Sequence, residues 1–197
     1  MFVVENNYPC ETGKGREDIS SMVSPGWYLI ADSAVTNTGK PFYLPEKLGL
    51  VTVALGAAIR ITRLGKSIAP KFAGRYFKEI APVLHFSLPE YREKLKMAGL
   101  PLDASENFDR SLFVGEFQPI EGMREINLRV NEKKVSCWKI EDLYFDLNDL
   151  IADLSTMNTI KMGDLIVPGL CSSHEMNEGD KLEVEVGGVT SFQVKVK

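Results

Sequence analysis

Residues 47–66 read KLGLVTVALGAAIRITRLGK. Val51, Val53, Leu55, Ala57, Ile59 and Ile61 alternate with Thr52, Ala54, Gly56, Ala58, Arg60 and Thr62. A period of two in a run ending at Gly65 predicts a strand. One face is large and apolar. On the other, Ala54, Gly56 and Ala58 are all small, which predicts either a close approach by another part of the molecule or the removal of larger side chains.

The remaining pattern predicts further short elements. Ser67 is placed to cap a helix reaching Ile80, with Ile68, Phe72, Tyr76 and Ile80 as a buried stripe and Pro70 in the first turn. Residues 83–88 read as a strand stopped by Pro89, and EYREKLKMAG (90–99) as a charged helix ended by Gly99. Another strand is expected at 112–117. Residues 126–130 and 134–138 flank Asn131-Glu132-Lys133 as a hairpin. Asp146 caps a helix with Leu147, Leu150, Ile151 and Leu154 on one face. A strand at 164–167 follows, and then a hairpin of 182–186 and 189–196 around Gly187-Gly188. Residues 1–26, loop-like after a short apolar start, read as a mobile N-terminal arm or a lid remnant. The fold class is therefore α+β, predominantly β, in one domain spanning residues 1–197.

Composition narrows the function classes. With 44% hydrophobic and 25% charged residues in 197, the chain can bury a core. A net charge of −4 without a basic stripe argues against nucleic acid. No apolar run has the length of a membrane span and the N-terminus is not built as a signal peptide, so no membrane partner is expected. Cys10, Cys137 and Cys171, an odd number at wide spacing, point to a reducing compartment and hence the cytoplasm.

WYLIADSA (27–34), KPFYLP (40–45), IRITRLGKSIAPKFAGRYFKEI (59–80), FDRSLFVGEF (108–117), DLNDLIADLSTMNTIKMGDLIVPG (146–169) and EGDKLEVEV (178–186) resemble, in order, the fumarylacetoacetate hydrolase family, and most closely a compact bacterial group within it. The resemblance implies a mixed β-roll with a few peripheral helices, Mg²⁺ or Mn²⁺ as cofactor, and dimerisation. It also implies a Glu-x-Glu pair and an Asp as metal ligands. These align with Ala54, Gly56 and His85, so no metal is expected here. A base, cations and other site residues of the family align with Glu11 (or Cys10), Ile30, Pro89, Arg92, Glu106 and Leu170.

Loss of ligands, base and cations together leads to the principal expectation: a degenerate family member without the metal-dependent chemistry, serving in binding or assembly as a homodimer or with an intact relative. An alternative is an active hydrolase, isomerase or decarboxylase on small oxo-acids, of the acylpyruvate or 2-hydroxyhepta-2,4-diene-1,7-dioate type, through a rearranged site. A second alternative is an anion-binding protein using Arg60, Arg92 or Lys40. Weaker candidates are Glu183-x-Glu185 as ligands, His85, His174 and Cys171 as a zinc set, and Cys171 as a nucleophile.

Overall fold

The computed structural model describes residues 1–9, 25–123 and 125–197. Among these, the strands form two sheets. The larger contains β1 (Phe2–Glu5), β2 (Gly26–Leu29), β3 (Val35–Asn37), β4 (Thr52–Ile61), β5 (Phe77–Ser87), β6 (Leu112–Val114), β7 (Gln118–Pro119), β10 (Leu165–Val167) and β11 (His174–Glu175). Its order is β2-β1-β10-β4-β5-β6-β3, with β11 added on β4 and β7 on β5. The smaller contains β8 (Glu125–Val130), β9 (Lys133–Lys139), β12 (Lys181–Val186) and β13 (Val189–Lys195), ordered β13-β12-β8-β9. The chain is thus α+β and predominantly β.

Both faces of β4 are covered, which its sequence explains. Val53, Leu55, Ala57, Ile59 and Ile61 enter the main core, where they meet Leu150, Ile151 and Leu154 of the helix Leu147–Met157 and the inner residues of the smaller sheet. Ala58 on the small face joins a second core with Val3, Ile30, Val83 and Val167. Gly56 lies beneath the 169–170 segment: a Cβ there would stand 2.7 Å from Leu170 Cδ2 and 2.9 Å from the Gly169 carbonyl oxygen. Close approach therefore accounts for two of the three small residues. Ala54 is the third, and it faces a cavity.

Turn chemistry sets the hairpins. Asn131 and Glu132 take φ of 48° and 68°, and Gly187 and Gly188 take 59° and 80°, the paired positive values a tight two-residue turn needs. Asp146 caps the helix Leu147–Met157, its Oδ1 accepting from the Asn148 and Asp149 amides at 2.8 and 2.9 Å.

Two expectations are corrected. The helix from Ser67 to Ile80 shrinks to Pro70–Ala73, and residues from Phe77 onward belong to β5. Ser67 takes φ 51° and its amide bonds the Ser155 carbonyl oxygen, so it ties the loop to the longer helix instead of capping its own. Phe72, placed on a buried stripe, is exposed, with Lys71 and Arg75 against its ring. Pairing of Phe77 and Ile80 with Ile61 and Ile59 of β4 outweighs local helix preference. The arm or lid expected over 1–26 begins instead as β1, parallel to β10 and antiparallel to β2, with Phe2, Val3 and Val4 buried. The polar stretch at 11–18, Cys10 and Glu11 lie outside the described residues.

Candidate active site

At the end of β4–β5 marked by Thr52 and Ser87, a cavity of about 340 Å³ opens on the face that carries Ala54. Ala54 and His85 are direct cross-strand partners on its floor. β1 contributes Glu5, β2 contributes Tyr28, and the helix Pro89–Met97 contributes Arg92. Glu106 follows the turn 103–105, and Leu170 with Cys171 closes a side.

Asn7 anchors this side of the molecule. Fully buried, it donates to the Phe145 and Pro168 carbonyl oxygens at 3.1 and 2.7 Å, and its Oδ1 accepts from the Phe145 amide at 2.7 Å. Tyr8 next to it stacks on Trp138, whose indole N–H donates to the Gly169 carbonyl oxygen at 3.1 Å. The 168–170 turn is therefore held from two directions.

His85 is 2% exposed. Burial lowers its pKa from 6.5 to about 4, so the ring is neutral at ordinary pH. Its Nε2 lies 3.2 Å from the Glu106 main-chain oxygen, and its Nδ1 lies 3.5 Å from the Tyr28 hydroxyl and 3.9 Å from Glu106 Oε2. Burial pushes the Tyr28 phenol up, with Glu106 and Glu5 adding to the shift. Arg92 reaches between two carboxylates, donating from Nη1 to Glu106 Oε1 at 3.0 Å and from Nη2 to Glu5 Oε1 at 3.2 Å. Burial raises the Glu106 carboxyl above its ordinary range, and Arg92 partly offsets this.

The structure brings Ala54, His85, Arg92, Glu106 and Leu170 to this one cavity. The other described site residues read from the sequence lie elsewhere. Gly56 is buried under Leu170 and does not line the cavity, so its alignment with a metal ligand is corrected: no side chain fits there without moving the 169–170 backbone. Ile30 is 1% exposed in the second core, away from the cavity. Pro89 is the first residue of the helix that carries Arg92. Arg60 pairs with Glu79 and covers the Phe117 ring at 4.2 Å, outside the cavity, and Lys40 is exposed. Of the three cations suggested for an anion, only Arg92 lines the cavity.

The weaker constellations disperse. Glu183 accepts from Thr190 and Glu185 pairs with Arg129, so that Glu-x-Glu is a strand surface engaged with its neighbours. His174 hydrogen-bonds Ser136 Oγ at 2.7 Å, away from His85. The Cys171 thiol donates to the Cys137 carbonyl oxygen at 3.5 Å, and burial pushes its pKa up to about 12, far from a thiolate. Among the described residues, no three His, Cys, Asp or Glu side chains converge as metal ligands.

Glu5, Tyr28 and Ser87 were not legible as site residues. Ser87 sits in a strand run, Tyr28 in a stretch singled out only for its resemblance, and Glu5 follows an apolar triplet at the chain start. Arg92 and Glu106 carried a signal: they are opposite charges at two positions where the resemblance implied other residues, as a compensating pair would be.

The family model for the fumarylacetoacetate (FAA) hydrolase C-terminal region matches residues 1–197. The chain belongs to the fumarylacetoacetate hydrolase family. A relative, the mitochondrial oxaloacetate tautomerase FAHD1 of Mus musculus, is 25% identical over 203 residues, covering 100% of this chain and 91% of that protein. Among solved structures, fumarylpyruvate hydrolase from Pseudomonas aeruginosa in complex with Mn²⁺ and pyruvate superposes with a TM-score of 0.85 at 19% identity, covering 99% of this chain and 88% of that one. The 5-carboxymethyl-2-hydroxymuconate delta-isomerase from Mycobacterium smegmatis gives 0.82 at 19% identity, covering 99% and 77%. The agreement extends to the curled β architecture.

The described residues of this cavity do not fit a hard divalent ion of the kind in the Pseudomonas structure. Such an ion needs several oxygen ligands, carboxylates above all. Ala54 has no donor. Thr52 Oγ1 and Ser87 Oγ bond each other at 2.9 Å. His85 offers one buried neutral nitrogen, and the two carboxylates are bound to Arg92.

Proposed function

We propose that this family member has lost metal-dependent hydrolase and isomerase chemistry and retains the cavity for binding a small molecule. The observation that carries this reading is the floor of the cavity, where Ala54 and a neutral, buried His85 face each other with no carboxylate of the described residues between them. The engagement of Arg92 by Glu5 and Glu106 supports it, because the described residues of the cavity present no spare cation to orient an oxo-acid. An anion-binding role loses support for the same reason. We further propose a cytoplasmic homodimer, or a heteromer with an intact relative. No helix among the described residues is long and apolar enough to cross a membrane.

The test is turnover. The purified chain is mixed with oxaloacetate, acylpyruvates and 2-hydroxy-diene-dioates, with and without Mn²⁺ or Mg²⁺, beside a family member that carries Glu-x-Glu. The expected result is activity for the intact protein and no metal-dependent rate for this chain. A metal-dependent rate here overturns the reading. Light scattering tests assembly: a mass of one 22.0 kDa chain at micromolar concentration would refute the homodimer, and a titration with the intact relative would test the heteromer.

A further inference from the structure

We propose that the cavity above Ala54 holds a small organic cation bearing N–H donors, a primary ammonium or an amidinium, between His85 Nδ1 and Glu106 Oε2. This rests on the binding role given above and names the chemical class of the ligand.

The tautomer of His85 comes first. Nε2 lies 3.2 Å from the Glu106 main-chain carbonyl oxygen, and a carbonyl only accepts. The hydrogen is therefore on Nε2, and in the neutral ring Nδ1 carries a lone pair. Glu106 Oε2 is 3.9 Å from that lone pair. An ionised carboxylate and an unprotonated ring nitrogen are both acceptors, so neither satisfies the other. A donor lying between them reaches both at the usual hydrogen-bond length of about 2.9 Å. The Tyr28 hydroxyl is 3.5 Å from Nδ1, at the outer edge of a hydrogen bond, and leaves most of that lone pair's capacity unused.

The charge balance agrees. Among the described residues, Arg92 is the cation lining the cavity, and it already donates to Glu5 and Glu106. The three groups sum to one negative charge when both carboxylates are ionised. A carboxylate ligand must displace one of them from Arg92 and then face its charge. A cation meets attraction without displacing either, and it meets it in a partly desolvated place where the effect is stronger than in water. Tyr28 and Tyr8 are also among the lining residues. A volume of about 340 Å³ suits a small molecule.

The experiment uses the full chain with methylammonium, putrescine, acetamidinium and guanidinium as probes. Pyruvate, oxaloacetate and tetramethylammonium serve as comparators at matched ionic strength. Tetramethylammonium has the charge without an N–H. The chain has two histidines, so ¹⁵N-histidine labelling resolves His85 from His174. The expected result is a saturable rise in melting temperature with at least one N–H cation and a saturable shift of the His85 Nδ1 signal, with His174 unmoved. Glu106→Gln should weaken that binding about tenfold or more. Ala54→Leu, which puts a large apolar side chain on the floor beside His85, should abolish it. Saturation by pyruvate or oxaloacetate in place of the amines, equal binding of tetramethylammonium, or no saturable response to any probe overturns the proposal. Metal-dependent turnover would instead overturn the reading it rests on, so the two failures are distinct.

Discussion

Arg92 Nη1 donates to Glu106 Oε1 at 3.0 Å, and this bond joins the helix Pro89–Met97 to the deepest carboxylate of the cavity. Glu106 is 7% exposed, whereas the Arg92 side chain is about a third exposed. The partners are therefore unequal: Arg92 can return to water, and Glu106 cannot.

Arg92→Ala is expected to cost about 1–3 kcal/mol, because it strands a buried carboxylate. The loss should depend on pH. Burial already holds the folded-state pKa of Glu106 above its unfolded value, and removing Arg92 raises it further. A raised carboxyl keeps its proton in the folded state while the unfolded chain has lost it. Stability then falls as pH rises from the ordinary carboxylate range through the raised folded value. The variant should lie closest to wild type near pH 4, and adding Glu106→Gln should remove the difference. Urea unfolding across pH checks this; a loss independent of pH would refute it.

His85 has the opposite sign. Its folded pKa is about 4 against 6.5, so the unfolded chain takes up the proton first as pH falls. Its contribution is intact above about pH 6.5 and is lost on acidification toward 4, by roughly 3 kcal/mol at most. Protonation of Glu106 acts against this over part of the same window, so the comparison belongs in a Glu106→Gln background. There, His85→Asn should flatten the acid limb of the stability curve. An unchanged limb would show that the ring does not stay neutral in the folded protein.

Asn7→Ala is expected to cost roughly 3 kcal/mol. Three hydrogen bonds disappear from a fully buried position, and their main-chain partners at Phe145 and Pro168 lose those bonds. Asn7→Asp should also be destabilising, because the carboxylate cannot donate to either carbonyl oxygen. Denaturant midpoints within a few tenths of a kcal/mol of wild type would show that the 168–170 turn is held by other contacts.

Much of this architecture could be read from β4, the two positive-φ hairpin turns and the Asp146 cap, because each is set by local pattern. The failures are where distant chain decides. The helix read through Phe77–Ile80 has an acceptable periodicity, but those residues complete β5 against β4, a partner that periodicity cannot name. The small face of β4 was read as one feature and is three: Ala58 packs in a core, Gly56 lies under a carbonyl, and Ala54 floors a cavity. Arg60 and Arg92 look alike in sequence; Glu79 holds one on the surface, and Glu5 and Glu106 hold the other in the cavity wall.

That division of the small face decides where a metal site can be built. Ala54→Glu, Gly56→Glu and His85→Asp would put two carboxylates two apart on one strand face, with a third across. At Gly56, however, the new Cβ meets Leu170 and the Gly169 carbonyl oxygen at 2.7 and 2.9 Å, contacts that force the turn to move. Overpacking of this kind costs about 1–3 kcal/mol. Thr52, two residues the other way, shares the face with Ala54 and lies opposite Ser87 at the cavity. Thr52→Glu, Ala54→Glu and His85→Asp together should therefore give the competent site. Without metal the three carboxylates repel, and the variant should melt below wild type. With Mn²⁺ at about a hundred times its dissociation constant, binding should return about 2.7 kcal/mol, while wild type should not respond. Catalysis on oxaloacetate should stay negligible, because a bound metal polarises a carbonyl without moving a proton, and Arg92 remains tied to Glu5 and Glu106. Calorimetric scans with and without Mn²⁺ separate the two designs. A stronger metal response from the Gly56 design than from the Thr52 design would show that the 169–170 turn yields easily and that the cavity floor extends one pair further along β4.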